Sequence, residues 1–588
     1  MNFQKVKNLI KENWRGSIVF LVAILFFAST AGYNYLAHQD GVIKWNSPDE
    51  NANYVFSKLF AEKETLQVFE EYNLLVDDVI VPRSFRSDNG VIKPVSFLGI
   101  IFIYGELANI FGVWILPYLT PLFASIGIIF FYLLLKKVFH RNNALISTLV
   151  LSTFPPYIYY TARSMFHNVL FVVLFIIALN YLLAMVNQKD KYRSIMSAIL
   201  AGLFLGLTVM TRTSELMWLL PVLLFLALVN FSRLKFSRVF LFLIFLFFAI
   251  LPAVLQNKVL YGSYLSGGYT EMNDSINTIA LSSSDLVVNT VSGGFGSLHK
   301  ITQTIKDNIF YFGFHPKQSI KMFYYYFVDM FWWIFWPAFL GGIILLANFR
   351  KMKRQHWLYL GFVFVISIIL IFYYGSWEFH DNPDPNSFTI GNSYTRYWLP
   401  VYLSVFPLLS LFIMKLTSFL GKIISKKIKF KKGDKFFSIN LRQPLFLGFI
   451  RALFIISIFF VSLQFVLLGS AEGLVFTLDR HHLNKIELNK VLGMTETNSV
   501  IVTEYHDKLF FPERKVIVGL FNRDNMIEKY SVLAKEAPLY YYNFHFPDKD
   551  FDYLNNRRLV DYNLQIKLVE RVNKDFSLYK LLPRNSED

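Results

Sequence analysis

The chain reads as long apolar runs separated by short charged turns. Runs of about 20 residues, the length a helix needs to cross a bilayer, lie near residues 17–37, 115–135, 143–161, 167–187, 195–211, 214–230, 238–256, 323–347, 357–374, 396–416 and 446–468. This pattern predicts eleven transmembrane helices. One further run, "PVSFLGIIFIYGELANIFG" (94–112), carries Glu106 at its centre. That acid would cost roughly 2.5–3.5 kcal/mol at mid-bilayer, so the run is predicted to lie along or dip into the outer leaflet. Counting it as a crossing would also reverse every later segment.

Basic residues then fix the orientation. They cluster at Lys136, Lys137 and Arg141; at Lys189, Lys191 and Arg193; at Arg233, Lys235 and Arg238; at Lys351, Lys353 and Arg354; and in "GKIISKKIKFKKGDK". With the basic start "MNFQKVKNLIKENWRG" inside, all five clusters fall on the cytoplasmic side, as the positive-inside rule requires. The first run is read as an uncleaved helix rather than a signal peptide, being long enough to span. The outer face collects the loop 38–114, turns at 160–165 and near Arg212, the loops 257–322 and 375–395, and the tail. Beyond about 470 the chain turns polar. There "NSVIVTEYHDKLFF" and "RKVIVGLF" read as short strands and "LDRHHLNKIELNKVLG" as a helix. The expected fold class is therefore an all-α polytopic membrane protein (1–469), with interfacial helices in the first outer loop and a small extracytoplasmic α/β domain (470–588). No internal repeat is visible.

Composition agrees: of 588 residues 54% are hydrophobic and 18% aromatic, with 63 Phe and 33 Tyr. The net charge of +17 sits in the turns and not on a basic face, which argues against a nucleic-acid partner. The absence of cysteine excludes disulfides, thiolate metal sites and cysteine nucleophiles.

Chemistry gathers on the outer side. In "WNSPDENANYVFSKLF" the adjacent Asp49 and Glu50 open a helix just after the first crossing. Acids are ordinary at a helix start. A carboxylate at the lipid boundary is also placed to take a hydroxyl proton late in a displacement. In "RSDNGVIKPVSF" a turn at Asp88-Asn89-Gly90 leads to Lys93, which fits either snorkelling to head groups or holding a phosphate. Arg163, Arg212 and Arg396 stand at outer helix ends against the positive-inside bias; they serve as interfacial anchors or as phosphate ligands. His167 fits a structural, basic or ligand role, and Asp329 lies inside an apolar run, where acids are functional candidates. His481 and His482 fit a solvated pair. The motifs for phosphate-cradling loops and zinc proteases are missing. The sequence requires no cofactor and leaves a divalent metal open.

Four features resemble one family. "PDENANY" is similar to its Asp-Glu pair after helix one, and "NGVIKPVSF" to its NG…KPPL segment before an interfacial helix. The block "LPYLTPLFASIGIIFFYLLLKKVFHRNNALISTLVLSTFPPYIYYTARSMFHNVLF" follows its order of helix, basic turn, helix and Arg-bearing outer turn. Later come "YGSYLSGGY" and "TRYWLPVY". The resemblance is to GT-C-fold membrane glycosyltransferases that use polyprenyl-phosphate sugars, among them protein O-mannosyltransferases, lipid A aminoarabinose transferases and proteins with the RgtA/B/C/D-like domain. It covers about 45–230 well and is patchy beyond. Two departures stand out: His167 where many relatives carry an acid, and Val95 in place of a second proline.

The resemblance implies an inverting transfer of a sugar from a polyprenyl-phosphate donor to an extracytoplasmic lipid, glycan or protein acceptor. Asp49 is then the base, Glu50 its partner, and Lys93, Arg163, His167, Arg212, Arg396 and Tyr397 bind the donor and its lipid phosphate. The alternative from another class, a lipid or solute transporter or flippase, fits less well, because transporters place polar residues at mid-membrane and show paired repeats.

Overall fold

The structure, a computed structural model, describes residues 13–39, 43–269, 313–379, 381, 384, 386–424, 429–432, 435–438, 443–469 and 472–584. The basic start, most of the loop 257–322 and much of the lysine-rich turn after Gly421 lie outside the described residues.

Among the described residues nine helices are long and apolar enough to cross a membrane: Trp14–Ala37, Val113–Val138, His167–Asn187, Lys191–Thr211, Thr213–Arg233, Phe236–Tyr261, Arg354–Gly375, Leu399–Gly421 and Leu447–Leu468. Pro316–Asp329 and Trp332–Ala347 are long and apolar enough only as a pair, bent by 101° at the break between them. Exposed Asp329 ends the π-helical turn Tyr324–Asp329 at this bend, rather than sitting within a straight helix.

The remaining expected crossing, 143–161, is not one helix. It divides into Arg141–Thr153 and Pro155–Arg163. Phe154 between them is extended (φ −73°, ψ 122°), because the ring of a following proline disfavours the helical region for the residue before it. By length and composition the described residues thus hold nine spans, or ten with the bent pair, where about eleven are expected. The run at 94–112 contributes the helix Leu98–Phe111 of 14 residues. At 1.5 Å per residue it reaches only about 21 Å, short of a bilayer core.

The chain forms two compact units. One comprises residues 1–32, 120–252 and 274–476; the other comprises 33–119, 253–273 and 477–588. In the first, His167–Asn187 is buried at every position from His167 to Asn180. A helix apolar all round belongs inside a bundle. Glycines bring neighbouring helices together: a Cβ at Gly202 would stand 2.2 Å from the Phe242 carbonyl oxygen, and one at Gly341 would stand 1.9 Å from that of Leu408. Such small residues are the common device of membrane helix packing.

Ten strands occur among the described residues: β1 Val68–Phe69, β2 Phe85–Asp88, β3 Val91–Pro94, β4 Lys429–Lys432, β5 Lys435–Ser438, β6 Val500–Thr503, β7 Lys515–Val518, β8 Leu539–Phe544, β9 Leu564–Arg571 and β10 Phe576–Pro583. In the second unit β1, β3 and β2 form an antiparallel sheet. Its β2–β3 turn uses Asn89 (φ 50°) and Gly90 (φ 79°), the Asn-Gly pair that a two-residue hairpin favours. A five-stranded sheet runs β7-β6-β8-β10-β9, with β7, β6 and β8 parallel and the other pairs antiparallel. Alternate residues feed its two faces. Val500, Val502, Tyr541 and Tyr579 join Ile527, Tyr530 and Leu533 of the helix Asp524–Glu536. Ile501, Val516, Tyr540 and Tyr542 join Leu488 and Val491 of the helix Leu474–Met494.

The first face is completed from far upstream, by Val76 and Ile80 of the first outer loop. Ion pairs reinforce that join: Arg83 to the fully buried Asp507, Lys44 to Glu513, and Lys515 to Glu70 at 2.7 Å.

Candidate functional site

In the second unit the acidic pair opens the helix Pro48–Lys63. Ser47 is the N-cap, Pro48 is the first helical residue and Glu50 the third, forming a capping box. The Glu50 carboxylate accepts from the Ser47 backbone N–H at 2.8 Å, and the residue is 1% exposed. Asp49 is partly exposed and accepts from the Ser84 hydroxyl at 2.7 Å. Ser84 reaches it from a left-handed backbone position (φ 65°), a conformation that costs free energy and so marks a place the fold holds deliberately. The two neighbouring acids thus differ: Glu50 is buried at the helix start, and Asp49 is partly exposed and bonded by Ser84.

Lys93 lies on β3, buried, and is already engaged. Its ammonium pairs with Asp88 across the hairpin, where Arg86 also binds, and donates to the Leu260 carbonyl at 2.7 Å. Burial works against the charged form of Asp88, yet the bonds from Lys93 and Arg86 prevail and hold its carboxyl below the usual range. This charge balance suits a structural lysine more than a phosphate ligand.

In the first unit the cations meet around aromatic rings. The helix Pro155–Arg163 ends in a turn with two successive left-handed residues, Ser164 (φ 58°) and Met165 (φ 49°), both buried. The turn places Phe166 beside Arg163. The Arg163 guanidinium lies 5.1 Å from the Phe166 ring centre and that of Arg396 lies 4.8 Å from it. Arg163 also donates to the Tyr159 hydroxyl at 2.9 Å, and Arg396 to Ser393 Oγ at 2.9 Å. Both arginines are partly exposed. His167 begins its helix buried, next to Asn168, which donates to the Arg396 carbonyl at 3.4 Å.

Arg212 is different. It is 6% exposed and its Nε donates to Glu215 Oε1 at 2.8 Å. Glu215 also accepts from Tyr374 at 2.6 Å and from the Trp218 indole. Glu215 was not among the residues expected from the sequence, although its spacing of three from Arg212 in "RTSE" is the signal that points to it. Arg212 also lies 4.7 Å above the Tyr397 ring, which stacks on Tyr374 at 4.5 Å. Within the first unit the structure therefore brings Arg163, Arg396, Tyr397 and Arg212 onto one connected aromatic cluster, with Arg163 and Arg396 partly exposed and Arg212 buried beside Glu215. Among the described residues no group of three or more His, Cys, Asp or Glu is placed to hold a metal.

Comparison with known proteins bears on these arrangements. Residues 99–255, which contain Arg163, His167 and Arg212, match the model of the family described as dolichyl-phosphate-mannose-protein mannosyltransferase. No curated protein matches the chain in sequence. Crystal structures of ArnT from Cupriavidus metallidurans are similar in fold: the form bound to undecaprenyl phosphate has a TM-score of 0.52 at 11% identity, and the apo form 0.51 at 10%, each covering 95% of this chain and 97% of that one. The apo oligosaccharyltransferase of Archaeoglobus fulgidus gives 0.50 at 12% identity, over 94% of this chain and 71% of its own. Residues 99–255 are thus similar to that mannosyltransferase family, and the chain as a whole shares the fold of the ArnT structures.

Proposed function

We propose that the protein transfers a sugar from a polyprenyl-phosphate donor to a hydroxyl acceptor on the extracytoplasmic side, with Asp49 as the general base. The carrying observation is the division of labour in the acidic pair: Glu50 is spent on the capping box, whereas Asp49 is partly exposed and oriented by Ser84. Likeness to a GT-C enzyme crystallised with undecaprenyl phosphate supports the lipid-phosphate donor.

In this reading the acceptor oxygen attacks the anomeric carbon and its proton passes to the Asp49 carboxylate. The bond from that carbon to the phosphate oxygen breaks, the lipid phosphate leaves with the electron pair, and the configuration inverts. Arg163 and Arg396 are the cations for the departing phosphate, whose charge grows in the transition state, so that fixed positive groups favour it over the ground state. Arg212 is a positioning residue that holds Tyr397 through its paired guanidinium, and Lys93 braces the β2–β3 hairpin.

The test is transfer from a lipid-linked sugar in proteoliposomes. Asp49→Asn is expected to lower the rate by about 10²–10⁴-fold, the usual contribution of a general base, with donor binding kept. Glu50→Gln preserves an acceptor for the Ser47 N–H and is expected to stay within about tenfold of the parent. Undiminished transfer by Asp49→Asn refutes the assignment.

A further inference from the structure

Within the first unit a cavity of about 350 Å³ runs between the helices Leu116–Val138, His167–Asn187, Leu216–Asn230, Arg354–Gly375 and Leu399–Ile424. On His167–Asn187 its wall extends from Val172 to Asn187 along one face. Those 15 steps span about 22 Å at the helical rise, longer than the roughly 15 Å of hydrocarbon in one leaflet. The wall is apolar, with Phe131, Phe175, Leu226, Phe362 and Leu403 contributing. Its rim is basic and carries Lys137, Arg233, Lys353 and Arg354, and no carboxylate is among the residues that line it.

All four rim cations are exposed, and among the described residues none of them makes an ion pair. The partners of three are neutral: Arg233 donates to Asn187 Oδ1 at 3.3 Å, Arg354 to Asn230 Oδ1 at 3.2 Å and to the Val229 carbonyl, and Lys137 to the Asn180 carbonyl at 2.6 Å. The rim lies at the helix ends that the charge pattern assigns to the cytoplasm. It is the opposite end of His167–Asn187 from His167 and Arg396.

We propose that this cavity is a binding site for one anionic phospholipid, with an acyl chain in the slot and the head-group phosphate on Arg233 and Arg354. A mainly apolar slot of this length suits a chain of methylenes. Four cations at its mouth, without an ion pair among the described residues, supply the charge complement that basic pockets between transmembrane helices offer to anionic head groups. The site is separate from the transfer chemistry proposed above, and its occupant would brace five helices, one carrying Tyr374 near its far end and two beginning shortly after Arg212 and Arg396.

The test uses the full-length protein, delipidated in detergent. Phosphatidylglycerol, phosphatidylcholine, a polyprenyl phosphate and inorganic phosphate are each added and followed by native mass spectrometry and thermal melting. One phosphatidylglycerol is expected per chain, preferred over phosphatidylcholine by about tenfold or more. The double variant Arg233→Gln/Arg354→Gln, altered only at exposed positions, should melt like the parent without lipid and bind phosphatidylglycerol about thirty-fold more weakly. Leu179→Trp, which fills the slot, should reduce binding of both phospholipids. Equal binding of the two phospholipids overturns the proposal. So does stabilisation by inorganic phosphate alone, preference for the polyprenyl phosphate, or indifference to either variant.

Discussion

The buried pair Arg212–Glu215 gives the sharpest test of how the first unit is held together. Three donors converge on the two oxygens of Glu215: Arg212 Nε and the Tyr374 hydroxyl on Oε1, and the Trp218 indole N–H on Oε2. Glu215→Gln keeps the shape but supplies one oxygen instead of two. If that oxygen takes the Oε1 position, the new amide N–H₂ points at the Trp218 donor; if it takes the other, the amide faces two donors. Either way Arg212, 6% exposed, keeps its charge and loses the carboxylate that its Nε bonds. Removing one member of a buried ion pair costs about 3–5 kcal/mol, and that is the loss expected for Glu215→Gln in equilibrium unfolding by SDS in mixed micelles. The double variant Arg212→Met/Glu215→Met removes both charges and leaves two neutral donors unmet. It should be less destabilised than the two single changes combined, with a coupling of about 2–3 kcal/mol. A loss below about 1 kcal/mol for Glu215→Gln, or additivity within about 0.5 kcal/mol, would refute the reasoning and return Arg212 to the list of phosphate ligands.

Acid should weaken the second unit. His506 is pushed down to about 4 from 6.5, first by burial and then by Lys508; the unfolded chain therefore binds a proton between those values that the folded chain refuses. Stability is expected to be complete above pH 6.5, to fall by up to about 3 kcal/mol as pH drops to 4, and to level off below. His38 shifts the same way, to about 4, so His506→Phe should flatten part of the pH profile of unfolding, and an unchanged profile counts against the buried neutral ring. Gly341→Ala places a Cβ 1.9 Å from the Leu408 carbonyl oxygen, whereas at Gly342 the nearest atom is a side-chain carbon at 3.7 Å. The first should lower stability by about 1–3 kcal/mol and the second by little, as melting of the detergent-solubilised protein would show.

Much of the architecture is written in local pattern. Length and hydropathy give the crossings, and Leu98–Phe111 is too short to be one. The Ser-Pro-Asp-Glu start of the helix at 48 and the Asn-Gly turn at 89–90 are also legible, because periodicity, caps and turn preferences depend on neighbours in sequence. Phe154 marks where that reading fails: the apolar run continues through it, and only the prolines behind it signal the break. The bend of 101° after Asp329 has no comparable mark in the run itself.

What a side chain does with its charge was decided by the tertiary structure. The sequence presents Asp49 and Glu50 as equals and Lys93, Arg163, Arg212 and Arg396 as four similar cations. Folding divides them, since Glu50 turns back onto its own helix start, Lys93 finds Asp88 and a carbonyl 167 residues away, and Arg212 finds Glu215 with Tyr374. Val76 and Ile80 close the core of a sheet whose first strand begins at Val500. Whether an ionised group is neutralised or left available depends on partners and burial supplied by distant segments, and no pattern along the chain encodes which segments those will be.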